Sequence, residues 1–99
     1  MMENHMLPEL AFNIQRSNGD QLLALGIRDT IYRALHFCRC TQLADLLPKT
    51  ANEVRGWLPA NQLNELEQAL NYFGLWLGMS QEEITEVQNG LILPVEHLS

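Results

Sequence analysis

The segment formed by residues 22–79 constrains the fold most, because it holds almost all the large apolar residues that recur at helical spacing. Side chains three or four residues apart lie on one face of an α-helix. Glycine and proline residues interrupt the segment, which is predicted to form several short helices that end in one longer helix over residues 61–73. The pattern therefore predicts an all-α fold, a compact bundle of short helices.

Local signals place several helix ends. Asp29 is predicted to cap a helix over residues 30–39, since a carboxylate at that position can accept hydrogen bonds from free backbone amides. The apolar face of this helix holds Ile31, Ala34, Leu35 and Cys38. A second short helix is predicted to start at Thr41, with Leu43, Leu46 and Leu47 facing inward.

Two capping boxes are predicted later in the chain. Thr50 is followed three residues on by Glu53, and Ser80 by Glu83, a spacing that satisfies two backbone amides reciprocally. Gly74 and Gly90 are predicted to stop the helices that precede them, because glycine readily adopts the left-handed conformation.

Three regions follow from these signals. Residues 1–19 are predicted to form a partly ordered N-terminal arm, and residues 20–79 the helical domain. Residues 80–99 add an extra C-terminal helix and an apolar tail, residues 91–95. A chain of 99 residues forms one small domain, so the arm and tail are expected to pack on the core or to mediate a homodimer.

The charge distribution limits which partners are compatible with the chain. Residues 1–49 hold five basic and five acidic side chains, whereas residues 50–99 hold one basic and seven acidic side chains. Because phosphate neutralisation drives DNA binding, any DNA face would have to use Arg28, Arg33, His36 and Arg39. A solvated helix face is the simpler interpretation of these four residues.

No apolar run is long enough to span a membrane, and no signal peptide is evident. A cytoplasmic protein with reduced Cys38 and Cys40 is therefore expected, since a bridge across one residue would be strained. Two cysteines and His36 fall short of the four ligands of a structural zinc site, so no metal is expected. No catalytic grouping and no cofactor-binding motif is present, and the chain is predicted not to be an enzyme.

Residues 22–79 resemble the C-terminal domain of the bacterial RNA polymerase α subunit. The resemblance is carried, in chain order, by Leu25-Gly26-Ile27, Tyr32, Leu35, Asp45-Leu46-Leu47, Lys49-Thr50, Glu65-Leu66 and Gly74-Leu75-Trp76-Leu77-Gly78-Met79. It implies short helices with a helix-hairpin-helix unit and a role in bacterial transcription. The closing Gly-Leu-x-Leu-Gly is the most specific of these matches.

The residues with which this family contacts DNA are largely replaced here. The family's minor-groove arginine and its supporting asparagine fall at Thr30 and Arg33. The family's glycine, two lysines and serine are replaced by the run Pro59, Ala60, Asn61 and Gln62 in a shorter hairpin. Only Glu65 remains of the family's functional set, so the resemblance implies the scaffold without its usual DNA surface.

Three functions stay open at this point. The first is a protein–protein interaction module in transcription regulation or a related assembly, the second a weak DNA-binding domain, and the third a structural, self-associating subunit. The candidate interaction residues are Arg28, Arg33, His36, Arg39, Trp57, Asn61, Gln62 and Glu65. Trp57 is expected either to complete the core or to anchor an interface, whereas Trp76 is expected to point outward.

Overall fold

The computed structural model describes residues 6–91, and every regular element in that range is helical. Six α-helices and one 3₁₀ turn follow in the order α1 (Met6–Arg16), the 3₁₀ turn (Leu23–Leu25), α2 (Asp29–Phe37), α3 (Leu43–Leu46), α4 (Ala51–Arg55), α5 (Ala60–Tyr72) and α6 (Gln81–Gly90). The prediction of an all-α bundle of short helices is confirmed, whereas the helix-hairpin-helix unit stays a prediction.

Apolar side chains from all six helices, most of them leucines, form one contiguous core. Leu35 of α2, Leu46 of α3 and Leu70 of α5 are completely shielded from solvent. Leu43, Leu46 and Leu47 all face inward, as the spacing predicted. Removal of this apolar surface from water is the main driving force for the fold.

Helix α1 belongs to this core, although its residues fall in the segment predicted as an arm. Leu7, Leu10 and Ala11 are buried, and α1 packs against the 3₁₀ turn and α6. Residues 1–5 of the predicted arm lie outside the described range.

Both predicted capping boxes are present. The amide of Glu53 donates to the Thr50 hydroxyl at 3.2 Å, and the amide of Thr50 donates to the Glu53 carboxylate at 2.8 Å. Ser80 and Glu83 make the same two bonds at the start of α6, at 3.2 and 2.8 Å. These contacts depend only on residues three apart, which explains why the sequence located them.

The predicted cap of α2 is wrong. Arg28 occupies the N-cap position, and Asp29 is already the first residue of the helix. The Asp29 carboxylate instead pairs with Arg33, one turn further on, at 2.8 Å. The helix also ends two residues earlier than predicted, because Arg39 adopts a left-handed backbone conformation with φ of 67°.

Helix α3 begins at Leu43 rather than at Thr41. The Asp45 carboxylate accepts hydrogen bonds from the amides of Thr41 and Gln42, at 3.1 and 3.2 Å, so these two residues precede the helix. Helix α5 begins and ends one residue earlier than predicted.

The two predicted glycine stops have different outcomes. Gly74 follows α5 with φ of 79°, and the amide of Leu75 donates back to the Leu70 carbonyl at 2.8 Å, which is a Schellman ending. Gly90 is not a stop but the last residue of α6. A β-carbon there would lie 2.9 Å from Leu7 Cδ1, so this glycine permits the close approach of α6 to α1. Of the predicted apolar tail, only Leu91 lies within the described range, and it packs against the core.

Candidate functional site

The solvent face of α2 carries three adjacent side chains, Arg33, His36 and Phe37, opposite the buried Ile31 and Leu35. Residues 36 and 37 follow residue 33 by three and four positions, so all three side chains share one face of the helix. Phe37 is 89% exposed, an extreme value for an aromatic side chain in a small domain.

Two of the four residues that any DNA face would have to use have carboxylate partners. Arg33 pairs with Asp29 within α2, and Arg28 Nε lies 3.0 Å from Glu65 Oε2 of α5. Both pairs are exposed, so each contributes little to stability. They bear on DNA binding, because a DNA phosphate would have to displace a carboxylate from each arginine.

The Arg28–Glu65 contact joins two candidate residues that are 37 positions apart in the sequence. It connects the start of α2 to the middle of α5. Asn61 is exposed and Gln62 half-buried, one turn before Glu65 on the same helix. Asn61 and Gln62 thus lie on the α5 side of the contact, whereas Arg33 and His36 lie on α2.

The two tryptophans differ in exposure. Trp57 is half-buried and packs against the core. It is therefore neither fully buried, as a core residue would be, nor fully exposed, as an interface anchor would be. Trp76 is 45% exposed and points outward as predicted, since its neighbour Leu75 takes the inward position.

His36 has an aromatic neighbour on its own helix. Its ring centroid lies 4.3 Å from that of Tyr32, with the two planes inclined by 40°. The Tyr32 hydroxyl donates a hydrogen bond to the Asp20 carboxylate, which raises the pKa of Tyr32, and partial burial adds to this shift. The contact anchors α2 to the chain that precedes the 3₁₀ turn and so fixes the position of His36.

Arg39 ends α2 in a geometry that usually selects glycine. The amide of Cys40 donates to the Leu35 carbonyl at 2.8 Å, and the amide of Arg39 donates to the His36 carbonyl at 2.9 Å. These bonds form a Schellman motif with Arg39 in the left-handed position, where a β-carbon is unfavourable. The chain reverses at this residue, so that Cys38 and Cys40 come to line the same cleft.

The two cysteines differ strongly in environment. Cys40 is 1% exposed, and its thiol lies 3.7 Å from the Asp45 carbonyl oxygen, to which it donates. Burial raises the pKa of the Cys40 thiol, and Lys49 partly opposes this shift. Cys38 is half-buried, and both thiols are free.

We expect Cys38 to react with a thiol reagent at least about tenfold faster than Cys40 at about pH 8. The Cys40 thiol is buried and its pKa is raised, so it reacts only when the structure opens locally. A time course with Ellman's reagent should show one fast and one slow thiol, and denaturant should make both fast. The variant Cys38→Ser should lose the fast phase and Cys40→Ser the slow phase. Two equal rates in the folded protein would contradict the burial of Cys40.

Phe37 is the residue of this surface that the sequence interpretation missed. The signal was present, since Phe37 falls four residues after Arg33, on the polar side of the helix whose apolar face had been identified. An aromatic residue at a polar position of an amphipathic helix is a candidate contact residue.

Within residues 6–91 no group of three or more histidine, cysteine or acidic side chains is arranged to hold a metal ion. In the same range, no helix has both the length and the apolar character that crossing a bilayer requires. Comparisons with family models, curated proteins and solved structures give no match to this chain.

Proposed function

We propose that this protein is a non-enzymatic protein–protein interaction module, acting in the cytoplasm in bacterial transcription regulation or a related regulatory assembly. The observation that carries the proposal is the 89% exposure of Phe37 beside Arg33 and His36 on the solvent face of α2. Aromatic and arginine side chains are enriched at protein interfaces, where an aromatic anchor contributes much of the binding energy. Phe37 with Arg33 beside it fits that composition.

The transcription part of the proposal rests on the resemblance of residues 22–79 to the polymerase α C-terminal domain. Gly74 and Gly78, the two glycines of the closing sequence, have φ of 79° and 88°. Residues other than glycine are unfavourable at such angles, so the backbone conformation explains why glycine occupies both positions. A scaffold alone does not define an activity, so the proposed partner surface depends on the exposed residues of α2.

Weak DNA binding is the less favoured function. Arg28 and Arg33 each have a carboxylate within 3.0 Å, and all the net charge of −6 comes from residues 50–99. Few phosphates could therefore be neutralised, and the release of counterions would contribute little affinity.

A quantitative capture experiment tests the proposed function. The tagged full-length chain and its Phe37→Ala and Arg33→Glu variants are used to recover proteins from an extract of the native cells. We expect one specific partner, whose recovery falls about tenfold or more with Phe37→Ala, because loss of a central aromatic anchor typically costs about 2 kcal/mol. Arg33→Glu should weaken recovery less, since Arg33 lies beside the anchor.

Phe12→Ala is the matched control, because Phe12 is also an exposed phenylalanine, at 58%, but lies on α1. A partner lost equally with Phe12→Ala and Phe37→Ala would contradict the α2 surface. Recovery of nothing except further copies of the chain would replace the proposal with the self-associating subunit. Recovery of DNA that depends on Arg28 would replace it with the DNA-binding function.

A further inference from the structure

An open cleft of about 450 Å³ lies immediately after α2 and begins at Cys38, the residue that follows Phe37. It is lined by residues 38–40, Ala44, Asp45, Pro48 and Lys49. The reversal of the chain at Arg39 places one wall, and the chain from α3 to Lys49 forms the other. The cleft therefore continues the α2 surface beyond the end of the helix.

The charge of this cleft is opposite to that of the whole chain. Arg39 and Lys49 both line it, and among residues 6–91 neither has a carboxylate within ion-pair distance. The one acidic side chain of the cleft is Asp45, whose Oδ2 already accepts bonds from Thr41 and Gln42. The cleft thus holds an exposed arginine and a half-buried lysine in a chain whose net charge is −6.

The presence of arginine at position 39 supports a functional role for its positive charge. Glycine or asparagine is usual in the left-handed position of a Schellman motif, whereas Arg39 carries the steric cost of its β-carbon there. Backbone strain of this kind is often found at functional sites.

We propose that this cleft docks a short acidic segment of the partner protein, with carboxylates at Arg39 and Lys49 and an apolar side chain against Ala44 and Pro48. This inference rests on the proposed interaction function and names the chemistry of the partner. Electrostatic complementarity favours the orientation in which the acidic segment enters the cleft while Phe37 contacts the neighbouring surface.

A short acidic peptide fits this charge pattern better than a nucleic acid does. Two cations match two carboxylates, whereas a nucleic acid presents a long row of phosphates to a chain that is acidic overall. The repulsion from residues 50–99 grows with the number of phosphates and is small for a short segment.

Fluorescence anisotropy with the full-length chain tests the inference. The probe is a labelled peptide of sequence Glu-Leu-Glu-Glu-Leu, and its uncharged match is Gln-Leu-Gln-Gln-Leu. At about 50 mM salt we expect the acidic peptide to bind about tenfold more tightly, because exposed ion pairs are only moderately screened there. Lys49→Ala and Arg39→Gly should each weaken its binding about threefold.

Arg39→Gly separates binding from folding. Glycine fits the left-handed conformation without a β-carbon, so we expect the melting temperature of this variant to rise by about 3 °C while its peptide affinity falls. Arg16→Ala is the matched control, since it removes an exposed cation of α1 far along the chain from the cleft. Its peptide affinity should equal that of the wild type.

Equal affinity for the two peptides, or an equal loss with Arg16→Ala and Arg39→Gly, would overturn the inference. Tight binding of a labelled DNA duplex that requires Arg39 and Lys49, without binding of the acidic peptide, would also overturn it. In each of these cases partner capture that depends on Phe37 would still support the proposed function. Loss of that dependence, with the peptide result intact, would remove the proposed function and leave only an acidic-peptide site.

Discussion

Replacement of Leu10 by alanine is expected to lower the free energy of unfolding by about 3 kcal/mol, since Leu10 is fully buried and its truncation leaves a cavity. For a chain of this size the melting temperature should fall by roughly 15 °C. Urea denaturation, followed by circular dichroism, measures the change. The effect is large because α1 closes one side of the core between the 3₁₀ turn and α6.

The control is Phe12→Ala on the same helix. Phe12 is 58% exposed, so its truncation should cost under about 1 kcal/mol. If the two variants were equally stable, α1 would contribute no more to the core than an arm laid on its surface. The comparison therefore distinguishes a structural helix from the arm that the sequence predicted.

Replacement of Ile84 by alanine is expected to cost about 3 kcal/mol for the same reason at the other end of the chain. Ile84 is 1% exposed and belongs to the contiguous core, together with Met79 before α6 and Val87 within it. The unfolding transition should stay a single step, because α6 shares this core with α1. Urea denaturation, followed in parallel by near-ultraviolet and far-ultraviolet circular dichroism, measures the free energy of unfolding and shows whether the transition is a single step.

Thr85→Ala serves as the control for Ile84→Ala, since Thr85 is the exposed next residue of the same helix. It should change the free energy of unfolding by less than about 0.5 kcal/mol. Two separate transitions in the Ile84→Ala variant would show that residues 80–91 fold as an independent unit, contrary to the shared core.

Helix boundaries were predicted well where the signal was local. Thr50 with Glu53 and Ser80 with Glu83 each satisfy their bonds within one turn, so residue type and spacing were sufficient. The cap of α2 was predicted wrongly, because Asp29 had two uses and the structure shows the ion pair with Arg33. A local pattern cannot rank a cap against an ion pair when both have the required spacing.

The candidate surface was predicted in part. Arg33 and His36 were placed correctly on the solvent face of α2, because the apolar period of the helix identified the opposite face. The pairing of Arg28 with Glu65 was not predicted, since it depends on how α2 lies against α5. The cleft after α2 was missed for a related reason: it requires the reversal at Arg39, which residue type alone argued against.

The sequence by itself determined the all-α class, the helical segments from α2 onward, most of their inward faces and two of their caps, because these features follow from contacts within one or two turns. Only the tertiary structure decided that α1 joins the core, that Gly90 permits α6 to approach Leu7, and that Arg28 is paired. These features join residues far apart in the chain, and their energies exist only after the helices have packed. The same packing leaves Phe37 in solvent and forms the cleft of Arg39 and Lys49 after the end of α2.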